Sequence, residues 1–555
     1  MKTIYRFIFT VALGVAALSA SAQDLDPTVV VDRAYEGKLM EVHKPALEMA
    51  VPDSVMRFDL DFDYSVFDNP YKGSYEFNPY LLSMKPSAAV DPAGRFFLRV
   101  GAGYQLRPEF DMVWSPRMKE KGSPFHIDVY ARHRSYFGKY YLLPTDGSAL
   151  KDSDAYRGGF MNSKAGVNLG ADWDKASMDV NVGYYGNHRT ESGAFMRNYN
   201  ALDADFSIGS KDMDAPSGFV YDVDLSYRRA GINGVKENNV SAGVLMGGAL
   251  KDKGRLNVEV GFDHDGYSGL GVPHYSGASV VSVTPHYIYE KGRLYADLGL
   301  DISKAVRDTS SGFFQQEAKE QIVYPDVTLR FSMIRNALMF FMKAGGGTRL
   351  VSNADLVERN AFQDLVHNTP MGIEVERINA VAGFEGRFGT RFNWNLHAGY
   401  TDYANGILDR LNTYTVAYLP YRKWHAGFEW LWKSDSFMAD GRLTYTDAWG
   451  EIFRSDWNDV FKPAAFTGDV AFEYNYMRRI YVGVNCVFSS ARVCDSNYDF
   501  MLPGYADLGV TAEYVTSRAL SFWIKGGNLL GMAIPRNHMY VEKGQYFTLG
   551  ISLKL

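Results

Sequence analysis

The last nine residues of the chain alternate strictly between two kinds of side chain. The apolar positions are Phe547, Leu549, Ile551, Leu553 and Leu555, and the polar or small residues Thr548, Gly550, Ser552 and Lys554 lie between them. Successive side chains of a β-strand point to opposite faces of a sheet. The pattern therefore predicts a strand with one face in an apolar phase and the other in a polar one.

Several longer segments repeat this alternation. The predicted outward side chains are Leu256, Val258, Val260 and Phe262 in one segment, Leu294, Ala296, Leu298 and Leu300 in a second, and Val167, Leu169, Ala171 and Trp173 beside Met178, Val180, Val182 and Tyr184 in a hairpin. Carboxylates recur on the opposite, inward parity only. Since a charge that faces lipid costs about 2–4 kcal/mol for Arg or Lys and less for Asp or Glu, this separation predicts a transmembrane antiparallel β-barrel.

Tight polar turns recur about every 40 residues, a period that also suits soluble propellers. The turns lie near Asp174-Lys175, Ser210-Lys211, Lys251-Gly254, Glu290-Gly292, Ile334-Arg335, Phe388-Arg391, Ser434-Ser436, Met477-Arg479 and Ser517-Arg518. Two long strands fit each period, whereas a propeller blade needs four short ones. We predict about 22 strands over residues 94–555, with short turns at one end and longer loops at the other. The stretch 403–422 is the least regular and has room for two more.

The N-terminus has the features of a secretory signal. Lys2 and Arg6 precede an apolar stretch, and Ala20-Ser21-Ala22 provides a cleavage site, so residues 1–22 are predicted to be removed. No later segment has the roughly 18 unbroken apolar residues of a spanning helix. A closed barrel is the other way to satisfy the backbone within a bilayer, which places the expected location in the outer membrane of a diderm bacterium.

The composition narrows the possible classes of protein further. The chain has 555 residues, of which 15% are aromatic, and a net charge of −6, which argues against a strongly basic nucleic-acid binder. Cys486 and Cys494 are the only cysteines. They could form a short-range disulfide or remain as two thiols.

The longest predicted loop spans about residues 347–376. Within it, Ser352 and Asp355 have the spacing of a capping box, which predicts a short helix. A packed lid is the simpler interpretation of this loop, and a ligand contact is the alternative.

The C-terminal segment resembles the end of TonB-dependent receptor barrels. Gly527-Asn528-Leu529 matches the G-x-N-L-like penultimate strand of that family, and residues 544–547 match its turn into the last strand, although the chain ends in Leu555 rather than an aromatic residue. A β-branched run near the predicted mature start looks like the TonB box that pairs with an energising periplasmic protein. It comprises Thr28, Val29, Val30, Val31 and Asp32. The same run could instead be a short strand or part of a tail.

The resemblance implies a plug domain of well over a hundred residues inside such receptors, and residues 23–93 are too few for one. They read as an extended, proline-punctuated periplasmic or lumen segment, as in a set of plugless receptor-like barrels. Since a barrel of this size would leave a wide hole, we expect it to be filled by this segment, by the loops or by another protein.

Few sequence motifs indicate catalysis, and we predict that the chain is not an enzyme and has no cofactor or catalytic residue. Residues 266–270 lack the final glycine of a G-x-S-x-G elbow. His264 between Asp263 and Asp265 allows a cation site, but a solvated loop rim is the simpler interpretation. His133 and Ser135, both expected to point inward, would suit a hydrolase pair.

Two functions remain open. One is solute uptake or binding by a receptor-like barrel, with outer-membrane lipid around it and a TonB-type protein as its partner. The other is a structural or scaffold subunit that holds other outer-membrane proteins without transport. The missing plug favours the second, and the receptor-like barrel favours the first. No nucleic-acid partner is expected.

Overall fold

The computed structural model describes residues 95–116, 124–143, 150–151, 155–190, 196–212, 218–232, 234–250, 254–269, 277–307, 322–335, 337–360, 372–411, 416–454, 459–494, 501–537 and 540–555. The predicted signal peptide 1–22, the segment 23–93 and the TonB-box-like run lie outside these residues. Nearly all of the described chain is β-strand.

The first thirteen strands precede the one α-helix found among the described residues. They are β1 Phe96–Tyr104, β2 Glu109–Trp114, β3 Phe125–Leu142, β4 Ala155–Asp172, β5 Ala176–Thr190, β6 Met196–Ser210, β7 Phe219–Ile232, β8 Val235–Ala249, β9 Arg255–Gly269, β10 Gly277–Lys291, β11 Leu294–Arg307, β12 Val323–Ile334 and β13 Leu338–Val351. The helix, α1, spans Asn353–Arg359.

Thirteen further strands follow the helix. They are β14 Gly372–Phe388, β15 Phe392–Asp409, β16 Val416–Lys433, β17 Phe437–Trp449, β18 Phe466–Tyr476, β19 Ile480–Ser489, β20 Arg492–Val493, β21 Met501–Leu502, β22 Tyr505–Val515, β23 Leu520–Gly527, β24 Ala533–Asn537, β25 Tyr540–Lys543 and β26 Tyr546–Lys554. A 3-10 helix at Glu451–Arg454 lies between β17 and β18.

The strands close into a 22-stranded antiparallel barrel, which confirms the predicted fold and strand number. Strands β1 to β19 follow one another around the ring, and β22, β23 and β26 complete it. Closure occurs where β26 pairs with both β23 and β1, for example Gly550 with Trp523 on one side and with Gly101 on the other. The hairpin β24–β25 pairs with the end of β3, and β20–β21 form a separate ribbon.

The two ends of the barrel differ as predicted. Each of the nine predicted turns falls at a junction between consecutive strands, at what we call the short-turn end. Most of the longer connections lie at the long-loop end, although residues 115–124 join β2 to β3 at the other end. The links between β1 and β2 and between β7 and β8 are short connections at the long-loop end. The β7–β8 link is a tight turn with Gly234 at φ +94°, a backbone conformation that favours glycine.

The outward face is apolar and the lumen face is polar. Val182, Leu298 and Leu300 are 54%, 47% and 51% exposed on the outward face. Ala171 and Ala296 share that parity but are buried. Among the described residues, no helix has the length and apolar character that spanning a membrane would require.

Two uncertain stretches of the sequence are resolved by this topology. Strands β15 and β16 account for nearly all of residues 403–422 and pair with each other, so the described part of this stretch holds no additional strands. The long loop is shorter than predicted, because β13 continues to Val351 and β14 begins at Gly372.

Candidate functional site

The long-loop end of the lumen is closed in part by α1 and its flanking residues 352–360, which we call the cap. The predicted capping box begins the helix: the backbone N–H of Asp355 donates to Ser352 Oγ at 3.2 Å, and the backbone N–H of Ser352 donates to Asp355 Oδ2 at 2.9 Å. The helix ends at Arg359, where the N–H of Asn360 donates to the Leu356 carbonyl. The local sequence therefore specifies the helix at both ends.

The cap packs against opposite walls of the barrel. Ala354, Leu356 and Val357 are buried in one apolar cluster with side chains from both walls. That cluster includes Tyr185, Tyr199, Ala201, Ala230, Val235 and Tyr267 from β5 to β9, and Ile407 and Val416 from β15 and β16. Because the buried face of the helix touches both walls, the cap bridges the lumen.

Ion pairs hold the two edges of the cap. Glu358 lies 3.6 Å from Lys164 of β4, and Arg359 lies 2.8 Å from Asp409 of β15, which also binds Arg492 at 2.8 Å. Partly exposed pairs of this kind contribute about 0–1 kcal/mol each. They fix the position of the cap more than they stabilise it.

A buried polar cluster lies beneath the N-terminus of the cap. Glu237 and Asp265, which we call the carboxyl pair, are 1% and 2% exposed. The Tyr267 hydroxyl lies 2.9 Å from Glu237 Oε1 and 2.6 Å from Asp265 Oδ2, and the Asn353 backbone N–H donates to Glu237 Oε1 at 2.8 Å. The carboxyl pair thus connects the barrel wall directly to the cap.

This cluster lies beyond the apolar band of the outward face. On β8 the exposed apolar side chains end at Val240, and on β9 they end at Phe262. Glu237 and Asp265 lie closer to the loops than these residues. Burial raises the pKa of both carboxyl groups, and the neighbouring Glu237 raises that of Asp265 further.

A cavity of about 290 Å³ lies in the lumen beside the cap. Its lining combines carboxylates with two arginines: Asp203, Asp205, Asp263 and Asp355 with Arg228 and Arg349. Arg228 is paired with Asp203 at 2.5 Å, and Arg349 with Glu374 at 2.9 Å. The surface is polar and mixed in charge, which suits a small hydrophilic solute.

The structure corrects the expected orientation of His133 and Ser135. Both share the outward parity of Val129, so they point away from the lumen. His133 does lie between two hydroxyls, with Nε2 3.1 Å from Ser135 Oγ and Nδ1 2.8 Å from Ser163 Oγ. Ser135 is only 4% exposed, however, so its hydroxyl is not presented to a substrate.

The cation site considered at residues 263–265 does not form. His264 lies on the opposite face of β9 from the two aspartates and contacts Ser279 Oγ at 2.9 Å. Within the described ranges, no group of three or more metal-binding side chains comes together. Cys486 and Cys494 are separate thiols rather than a disulfide.

Sequence reasoning did not identify the carboxyl pair. Asp265 has the inward parity of Asp263, which was visible in the alternation. Its partner Glu237 comes from the neighbouring strand, and the contact with Asn353 joins positions 116 residues apart. Only the register of β8 with β9, which aligns Glu237 with Tyr267, brings these groups together.

The fold is shared with solved receptors and a transporter of very different sequence. The siderophore receptor PiuA from Acinetobacter baumannii matches with a TM-score of 0.57 and 10% identity over 83% of this chain and 82% of its own. The ferric enterobactin receptor PfeA from Pseudomonas aeruginosa matches with a TM-score of 0.59 and 12% identity over 83% of this chain and 80% of its own. The FrpB iron transporter from Neisseria meningitidis matches with a TM-score of 0.60 and 10% identity over 83% of this chain and 81% of its own.

No protein-family model matches the chain, and no curated protein matches its sequence. At these identities the likeness shows the fold alone, a closed 22-stranded antiparallel β-barrel. Those neighbours are named as receptors and transporters rather than enzymes.

Proposed function

We propose that the chain is an outer-membrane barrel that binds a small hydrophilic solute at its long-loop end and takes it up. The observation that carries this proposal is the polar cavity beside the cap, in a barrel whose fold is that of solute receptors. The outward apolar face suits lipid, and the mixed charges of Asp203, Arg228 and Arg349 suit a solute that carries both charge and hydrogen-bonding groups.

In this proposal residues 23–93 serve in place of a full plug, and Thr28 to Asp32 recruit a TonB-type periplasmic protein by strand addition. The β-branched run supports recruitment of the periplasmic protein, because an exposed strand of this composition pairs readily with a sheet edge. The segment is too short for a full plug domain, which supports its role in place of one.

Conductance in planar bilayers tests the proposal. We expect the full chain to be nearly silent and the deletion of residues 23–92 to give a large, steady pore, because the barrel is too wide to be closed by the cap alone. Val30→Pro is the matched control. It should leave conductance unchanged but weaken binding to a purified periplasmic TonB-type domain, since proline removes a backbone donor. A silent deletion variant would contradict the occluding role.

A scaffold subunit without transport is the second candidate. It is favoured by the way in which the cap is fastened to both walls through buried contacts. A barrel that stays silent with and without residues 23–92, and that purifies from detergent-solubilised membranes with a stoichiometric integral partner, would support it over uptake.

A further inference from the structure

We propose that the carboxyl pair shares one proton and that this proton is a latch that keeps the cap closed. The buried cluster around Glu237 and Asp265 has fewer hydrogen-bond donors than two ionised carboxyl groups require, whichever solute the barrel binds.

The first step is that the carboxyl pair has too few donors if both groups are ionised. The Tyr267 hydroxyl lies near one oxygen of each carboxyl but has a single hydrogen to donate. The remaining oxygens, Glu237 Oε2 and Asp265 Oδ1, are buried and receive no donor from the described residues. Both carboxyl groups nevertheless contact the same Tyr267 hydroxyl, so they lie side by side.

One proton between the carboxyl groups resolves this shortage. A protonated Asp265 donates to Glu237, so both remaining oxygens gain a partner. Glu237 then keeps its negative charge and accepts the Asn353 N–H, which belongs to the first residue of α1. The shared proton therefore completes the contact that joins the wall to the cap.

The surroundings favour retention of the proton. Asp355 of the cap adds a further negative charge near both carboxyl groups, and Tyr199 of β6 and Tyr267 of β9 are neutral. The nearby cation on β7, Arg228, is already paired with Asp203. Loss of the proton would leave two adjacent carboxylates buried, which is unfavourable because each charge is out of water and repels the other. Lifting the cap would admit water and relieve this cost.

The direction of the pH dependence follows. A carboxyl group whose pKa is raised in the closed state stabilises that state fully below its ordinary pKa, and this stabilisation falls steadily as the pH rises to the raised pKa. The latch is thus expected to hold most firmly in acid, to weaken through neutral pH and to open in alkali.

The test measures how accessible the buried face of the cap is. Ala354 is 1% exposed, and Ala354→Cys in a Cys486→Ala, Cys494→Ala background places a single thiol there. Glu358→Cys, on the exposed edge of the same helix, corrects for the intrinsic pH dependence of thiol modification. We expect the ratio of the two maleimide rates to rise at least about tenfold between about pH 7 and about pH 10, since one proton is released on opening.

Two variants make the test specific. Asp265→Asn carries a permanent N–H donor toward Glu237, so the ratio should stay low and flat across the same range. Asp224→Asn removes a lumen carboxyl on β7 away from the cap, so its ratio of maleimide rates should rise with pH as that of the wild type does. Heat-modifiability on gels shows whether each barrel stays folded, and Glu237→Gln, which also supplies an amide donor, replaces Asp265→Asn if that variant does not fold. The latch is overturned if the ratio stays flat while Glu237 and Asp265 are unchanged, or if it rises equally in Asp265→Asn.

Discussion

Arg107 lies in the connection between β1 and β2 and holds the closure of the barrel together. Its guanidinium stands 4.2 Å from the ring centre of Tyr136 on β3 and 4.0 Å from that of Tyr546 on β26, and it pairs with the buried Glu542 of β25. Glu542 is 435 positions away in the chain. One side chain thus connects the first strands of the barrel to the last.

The planar shape of Arg107 matters as much as its charge. Arg107→Ala is expected to lower the free energy of unfolding by about 3–5 kcal/mol, since it removes the cation beside a buried carboxylate. Arg107→Lys keeps the charge but loses both stacking contacts, and about 1–2 kcal/mol with them. Urea unfolding in detergent, followed by gel mobility, measures both losses. Arg518→Lys in an exposed turn is the control, and a lysine variant as stable as wild type would contradict the stacking role.

Contacts between single residues were predictable from the sequence only where they are local. The capping box of Ser352 and Asp355 lies within four positions, and the structure contains it. The orientation of His133 was wrong because it depends on which parity of β3 faces outward, and the short segment around it has polar residues on both parities. The partners of Arg107 and Glu237 come from distant strands and leave no local signal.

Between neighbouring strands, an aromatic ring on one strand repeatedly packs over a glycine on the next. The indole of Trp523 on β23 lies over Gly550 of β26 and Gly101 of β1, which are themselves cross-strand partners. Arg99 packs on the same ring, 4.3 Å from its centre. The glycines leave space in which the rings can lie flat on the lumen wall, so they specify where the strands join.

Gly550→Ala tests this role. An added Cβ would meet both the Trp523 ring and the backbone oxygen of Val100, so we expect a loss of about 1–3 kcal/mol in the free energy of unfolding. Gly243→Ala on β8, where the nearest atom is at 3.9 Å, should change it by less than about 0.5 kcal/mol. Trp523→Leu combined with Gly550→Ala should recover part of the loss. Equal effects of the two alanine substitutions would rule out the packing explanation.

The strands themselves were predictable because their signals are periodic and short-ranged. Alternation and turn residues placed all nine short turns and the strand number, and β15 and β16 needed no revision beyond their boundaries. The cap was predictable as a helix but not as a bridge. Its position depends on apolar side chains from eight strands, and the sequence of the loop does not identify those strands.

For the whole molecule, the proposal depends on which face of the cylinder meets lipid. Leu298 and Asp297 are neighbours on β11 that point to opposite sides: Leu298 is 47% exposed on the outside, and Asp297 contacts His286 Nδ1 at 2.9 Å in the lumen. Leu298→Arg should oppose membrane insertion by about 2–4 kcal/mol, because it places a charge against hydrocarbon. Asp297→Asn keeps a polar group in a polar lumen and should be tolerated.

The measurement is the fraction of heat-modifiable barrel recovered from vesicles after assembly, compared across the two variants. Leu298→Gln is the matched control, because it removes the apolar side chain without adding charge and should lie between them. If Leu298→Arg assembles as well as Asp297→Asn, the apolar face is not a lipid-facing surface. Uptake across a membrane would then lose its physical basis, whereas the closed barrel, the cap and its latch would remain as properties of the folded chain.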